Sequence, residues 1–279
     1  MRLLGRTLAL GLVSGGLILG CGAGDGSDGG NKNIVPLATS DSTIQRHHGG
    51  GGGTVFSYNG GPVLQNPKVF VIFLGPSWGT GNSDSAYLTS FWQDFTAASS
   101  TSSWYTHMTK TNSYSVSGSY TVHPATFGGS AVDSTDYGST VTDAQLQQTA
   151  SRNIASHAGW RVADGLYVVV TGRDVRVTMG GTATCTSFCG YHGNYSDPAN
   201  SGNSNGDVYY ASTPYLTCAG CSQVPFTALD ITTTIGSHEF GEAVSDPIPG
   251  AGWYNNRSGE IGDVCAWGSN LVNQSFNGS

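Results

Sequence analysis

Apolar residues along this chain fall into short blocks whose spacing changes from one block to the next. Val69-Phe70-Val71-Ile72-Phe73-Leu74 is unbroken between Pro67 and Gly75, the mark of a strand buried on both faces. Leu166-Tyr167-Val168-Val169-Val170-Thr171 reads the same way. Between them, Phe91, Trp92 and Phe95 give 88–98 helical spacing, and Tyr120 to Val122 reads as a strand. A further helix is predicted over 142–157, because Thr142-Asp143-Ala144-Gln145 has the pattern of a capping box. The last helix is predicted from about Ile231 to Ser245, with Asp230 as N-cap and Pro247 as stop signal. Strand, helix, strand, helix and strand, then a cysteine-rich excursion and this last helix, predict an α/β fold: one domain with a mixed β-sheet and flanking helices.

The ends of the chain read differently. Arg2 and Arg6 precede an apolar run from Leu8 to Leu19, so 1–20 is expected to be an export signal, too short to span a bilayer. Ile18-Leu19-Gly20-Cys21 resembles a bacterial lipobox, which makes Cys21 the expected acylated first residue of the mature protein. The segment 21–61, with its glycine run from Gly49 to Gly53, is too poor in apolar residues to fold and reads as a tether. His47 and His48 lie in it and are expected to be solvated. The folded domain is expected over 62–279, long enough for one sizeable core.

A formal net charge of −7 with only 11 Lys and Arg residues argues against nucleic acid as a partner. Charged residues form 10% of the chain, against 42 glycines, a composition suited to an exported or envelope-associated protein. The expected location is extracytoplasmic, either secreted or held to the envelope by the lipid anchor alone, as a monomer. In that compartment Cys185, Cys189, Cys218 and Cys221 are expected to form two disulfides, for which three connectivities are open. A four-cysteine zinc site is the alternative, and Cys265 is left over.

All three glutamates of the chain, Glu239, Glu242 and Glu260, fall in one stretch, and the first two belong to the string His238-Glu239-Phe240-Gly241-Glu242. On a helix His238 and Glu242 stand at i and i+4 on one face, with Glu239 beside them. This is the layout of a zinc-hydrolase helix with glutamate in the place of the second histidine, so the helix is expected to be a zincin-like active helix near the C-terminus. A surface helix with a solvated acidic face is the plain alternative. Ile231 and Ile235 continue the same stripe and would turn it inward, and ionisable groups facing a core need a partner such as a divalent cation. The segment Gly259-Glu260-Ile261-Gly262-Asp263 offers a third ligand: Glu260 first, with Asp263 able to ligate or to hold a ligand. Asp246 reads as a helix-end group.

The expected chemistry is metal-assisted hydrolysis of a peptide or cell-wall polymer, with Glu239 as general base to a metal-activated water. Two carboxylates and one neutral imidazole cancel the charge of a zinc ion and acidify water less than a two-histidine site does. Calcium or manganese is therefore an alternative to zinc, and an ion that only braces the fold is another. A non-catalytic envelope or matrix protein that binds glycan or a protein partner is the competing functional class. The methionines are Met1, Met108 and Met179, so no methionine turn of the metzincin kind can follow the helix.

Val170-Thr171, Asp174-Val175, the block from Cys185 to Gly193, Cys218-Ala219-Gly220-Cys221 and Pro225-Phe226 resemble, in order and spacing, the central block of the Exordium-like (phosphate-induced protein) family. The segments from His238 to Pro247 and from Gly259 to Cys265 resemble its next blocks, so the likeness runs from about Val69 to Trp267. It implies an extracellular or wall-associated protein linked in plants to growth responses. His192, within that block, reads as a hydrogen-bonded loop histidine, with a place at the metal or at an oxyanion as the alternative. Trp253, Tyr254 and Trp267 are expected in core packing, or else lining a substrate cleft.

Overall fold

The computed structural model describes residues 56–97, 120–221, 226–256 and 259–263, together with the backbone of 17–18, 34–38 and 272–273. The side chains of Cys21, His47, His48, Cys265 and Trp267 lie outside the described residues, as does most of the export signal.

Apart from a two-residue strand pair, Leu17–Ile18 with Val272–Asn273, and a 3₁₀ turn at Pro76–Trp78, the elements in chain order are β1 (Ile34–Ala38), β2 (Ser57–Tyr58), β3 (Lys68–Leu74), α1 (Ser83–Ala97), β4 (Thr126–Asp133), β5 (Thr140–Thr142), α2 (Asp143–Ser156), β6 (Gly165–Thr171), β7 (Arg176–Met179), β8 (Thr182–Ala183), β9 (Phe188–Ser196), β10 (Asp207–Ser212), α3 (Ala228–Ser245) and β11 (Trp253–Tyr254). Six strands form the main sheet in the order β1-β9-β10-β6-β3-β4. Strands β10, β6, β3 and β4 pair in parallel, whereas β9 runs antiparallel to both β10 and β1. The sheet is therefore mixed, and the chain folds as α/β. β1 and β2 both fall inside 21–61, the stretch read from sequence as a tether; β1 joins the main sheet and β2 pairs with β11.

Both expected buried strands form, as β3 and β6, and occupy the middle of the sheet. Their alternate side chains enter two separate cores. Val69, Val71, Phe73, Leu166, Val168 and Val170 pack with α1 and α3 on one face, while Phe70, Ile72, Tyr167 and Val169 pack with α2 on the other. This makes three layers, helix on sheet on helix. The capping box at α2 is present, with Thr142 accepting from the Gln145 N–H and the Gln145 side chain closing back on Thr142.

Three expectations need correction. Tyr120 to Val122 pairs with no strand, and the edge strand begins later, at Thr126. The cysteine-rich excursion contains two full sheet strands, β9 and β10. The cap of α3 is Thr227, which forms a capping box with Asp230 in the third helical position and starts the helix at Ala228.

Helix α3 is buried on every side from Ile231 to Ser245, although its sequence is rich in polar residues. Local hydrogen bonds make this tolerable. The hydroxyls of Thr232, Thr233, Thr234 and Ser237 donate to the carbonyls of Ala228, Asp230, Asp230 and Thr234 at 2.8–3.0 Å, so their polar atoms reach the interior already satisfied. Close approach completes the fit: a Cβ on Gly190 of β9 would stand 2.2 Å from Ile235 Cγ2, and one on Gly236 would stand 2.8 Å from Trp92 Cζ2.

Candidate metal centre

Three pieces of backbone converge at the buried C-terminal half of α3. The helix supplies His238, Glu239 and Glu242; strand β9 supplies His192; the turn 259–263 supplies Glu260 and Asp263. The side chains of His192, Glu239 and Glu260 are 0% exposed, Glu242 is 1%, His238 4% and Asp263 18%.

His238 Nε2 lies 3.0 Å from Glu242 Oε1 and 3.8 Å from Asp263 Oδ1. Ligand bonds of about 2.0–2.1 Å to zinc set ligand separations of about 3.4 Å in a tetrahedral site, so the observed distances bracket that value. His238 Nε2 makes no hydrogen bond: it lies near the glutamate oxygen without pointing at it, as two groups sharing one ion do. The Asp263 N–H donates to Glu242 Oε1 at 2.9 Å. A Cβ on Gly262 would come within 2.6 Å of that oxygen and 2.8 Å of His238 Cε1, so only glycine lets the turn close over the pair.

On the other side of Glu242, His192 Nδ1 lies 3.3 Å from Glu239 Oε2 and 3.6 Å from Glu242 Oε2. Its Nε2 lies 3.1 Å from the Asp246 carbonyl oxygen and 3.3 Å from Glu260 Oε1. Glu260, the first sequence candidate for third ligand, thus meets His192, and Asp263 is the acid that joins His238 and Glu242. Neither Glu260 oxygen nor Glu239 Oε1 makes a hydrogen bond. Asp246 caps the C-terminus of α3 and accepts from the N–H groups of Gly250, Ala251 and Gly252, the helix-end role expected for it.

The electrostatics show how much positive charge the cluster needs. Burial, then the nearby Glu242 charge, pushes the Asp263 carboxyl up to about 8. Burial holds Glu260 well above the ordinary carboxylate range despite the His192 charge beside it, and burial likewise raises Glu239. For His238 burial opposes the charged form, but the Glu242 carboxylate outweighs it and the imidazole rises to about 10. Glu242 alone among these acids falls, to about 2, because the two histidines together outweigh its burial. Buried carboxylates in this number, paired with histidines alone among the described residues, fit a divalent cation. The oxygen-rich donor set suits zinc, manganese or calcium.

Cys185 bonds to Cys218 and Cys189 to Cys221, crossing between the two cysteine pairs. The bridges tie the start of β9 to the segment that leads into α3 and so fix the two elements that carry the site. They use all four cysteines, which corrects the four-cysteine zinc alternative.

His192 is the site residue that sequence reasoning places wrongly: it stands in a strand, not a loop. Its signal is the β-forming character of Phe188, Tyr191 and Tyr195, obscured by Cys189, Gly190 and Gly193 between them. A register irregularity between Phe188 and Gly190 hides the alternation further. Trp253 sits half-buried in β11 and packs its ring against Tyr58, the packing role expected.

A comparison with protein families matches residues 56–266 to the phosphate-induced protein 1 conserved region, and the chain belongs to that family. No curated protein and no solved structure matches the chain. The two disulfides are compatible with an extracellular protein. Among the described residues, no helix is long and apolar enough to cross a membrane.

Proposed function

We propose that this protein is an extracytoplasmic metal-dependent hydrolase of peptidase type, anchored to the envelope through lipidated Cys21, with α3 as a zincin-like active helix. The observation that carries the reading is the approach of His238 Nε2 and Glu242 Oε1 to 3.0 Å without a hydrogen bond, with Asp263 Oδ1 beside them. His238, Glu242 and Asp263 would hold the ion, with zinc as first choice and manganese or calcium as alternatives. The ion would supply Lewis acidity to a water molecule. Glu239 takes the proton: its Oε2 is held by His192 and its Oε1 carries no hydrogen bond, and burial raises its pKa toward that of a useful base. Peptide or cell-wall polymer is the proposed substrate.

The test is Glu239→Gln. It should keep its metal and lose hydrolysis of a peptide library by about 10²–10⁴-fold; unchanged hydrolysis contradicts the role of Glu239. One observation favours a second reading, a non-catalytic envelope protein that binds glycan or a protein partner around a structural ion. Four of the six side chains of the centre are at most 1% exposed, which leaves a substrate little access. Glycan binding that survives chelation, with no turnover, selects that reading.

A further inference from the structure

His192 lies in β9 opposite Ala211 of β10, on the face of the sheet covered by α3. Its two ring nitrogens face different partners. Nδ1 is 3.3 Å from Glu239 Oε2 and 3.6 Å from Glu242 Oε2, and Nε2 is 3.1 Å from the Asp246 carbonyl and 3.3 Å from Glu260 Oε1. The Asp246 carbonyl only accepts, so Nε2 carries a proton and donates to it. Both nitrogens have hydrogen-bond partners in line with the ring. His238 is the opposite case, a buried imidazole whose Nε2 has none.

We propose that His192 is a positioning residue of the metal centre, bridging Glu239 Oε2 through Nδ1 and the Asp246 carbonyl through Nε2, so that Glu239 is held in a fixed place beside Glu242. The proposal rests on the metal-centre reading. It accounts for the division of labour in Glu242, whose Oε2 faces His192 while Oε1 faces His238 and Asp263. It also anchors Glu239 by one oxygen and leaves the other unpaired. Groups that orient ligands in this way are worth roughly 10–100-fold in metal affinity. The competing use of the same atoms is a second ion on His192, Glu239 and Glu242, which also lie close enough together to ligate one.

Full-length protein labelled with ¹⁵N-histidine and loaded with ¹¹³Cd separates the two. The expected spectrum shows no cadmium coupling to either ring nitrogen of His192, with coupling at His238. Cadmium coupling to either ring nitrogen of His192 overturns the proposal. In a second arm His192→Gln should bind zinc about 10–100-fold more weakly than the parent. Tyr191→Phe is its control: it removes a hydrogen bond to Asp143 on the opposite face of the same strand and should leave zinc affinity unchanged. Parent-like zinc affinity in His192→Gln overturns the positioning role and leaves the metal centre standing; a parent that binds neither zinc nor cadmium overturns both. The ¹⁵N spectrum of the parent decides the matter even where His192→Gln does not fold.

Discussion

His238 and Glu242 stand one helical turn apart on α3, with Nε2 and Oε1 3.0 Å apart and no hydrogen bond on the imidazole nitrogen. Two polar groups sealed from water forgo a mutual hydrogen bond only where something else satisfies them. An ion shared with Asp263 meets that condition. Glu242→Gln keeps the shape of the side chain and removes its charge. It is expected to weaken zinc binding at least about 100-fold, measured by competition with a chromophoric chelator.

An ion bound at the proposed centre would add to stability, so a chelator should lower it. An ion that binds the folded chain alone stabilises it by about 2.7 kcal/mol at 100 times its Kd. For a domain of this size that is roughly 5–10 °C in Tm. Thermal unfolding with and without a chelator checks this; coincident transitions contradict it.

The disulfides offer a test free of metal chemistry. Cys185 and Cys218 close a loop with a sequence separation of 33, for which the chain-entropy relation gives about 3–4 kcal/mol. The double substitution Cys185→Ser with Cys218→Ser should lower unfolding stability by about that amount in denaturant titration. It should also loosen the junction between β9 and α3.

Contact between those two elements is tested more locally by Gly190→Ala. The added Cβ would meet Ile235 Cγ2 at 2.2 Å and the Ser212 carbonyl at 2.8 Å, and neither is the far end of a flexible side chain. Overpacking of this kind costs about 1–3 kcal/mol. The α3 helix should shift away from the sheet, and zinc affinity should fall with stability.

Acid stability should show the Asp133 carboxylate. Burial raises its pKa, but hydrogen bonds from Thr135 and Arg152 outweigh burial and leave it below the ordinary value of 3.8. Asp133 Oδ2 accepts from both Arg152 Nη2 and Asn153 Nδ2, at 2.6 and 2.8 Å. A depressed folded-state pKa means that its stabilisation is present above pH 3.8 and is lost as pH falls through the lower folded value. Asp133→Asn should therefore remove part of the acid-dependent loss below pH 3.8 and cost about 1–3 kcal/mol at neutral pH.

Sequence makes visible what is local and periodic. The runs 69–74 and 166–171 are buried on both faces, so they show without any alternation, and they form the centre of the sheet. The capping box at Thr142 is a four-residue signal and reads directly. Strand β9 is not legible, because Gly190 serves the approach of α3 and Cys189 serves a bridge, and both interrupt the strand pattern. The same holds at the site. The meeting of His238 and Glu242 follows from helical spacing, whereas the approach of His192 to Glu239, and of Asp263 rather than Glu260 to His238, depends on strand register and on the turn that Gly262 permits.

The most direct test is elemental analysis of the purified protein beside the variant Glu242→Gln, each folded and with both disulfides closed. A metal centre on His238, Glu242 and Asp263 predicts about one equivalent of a divalent metal, zinc first, in the parent and its loss in the variant. A parent free of divalent metal, even after dialysis against zinc, manganese and calcium, contradicts it.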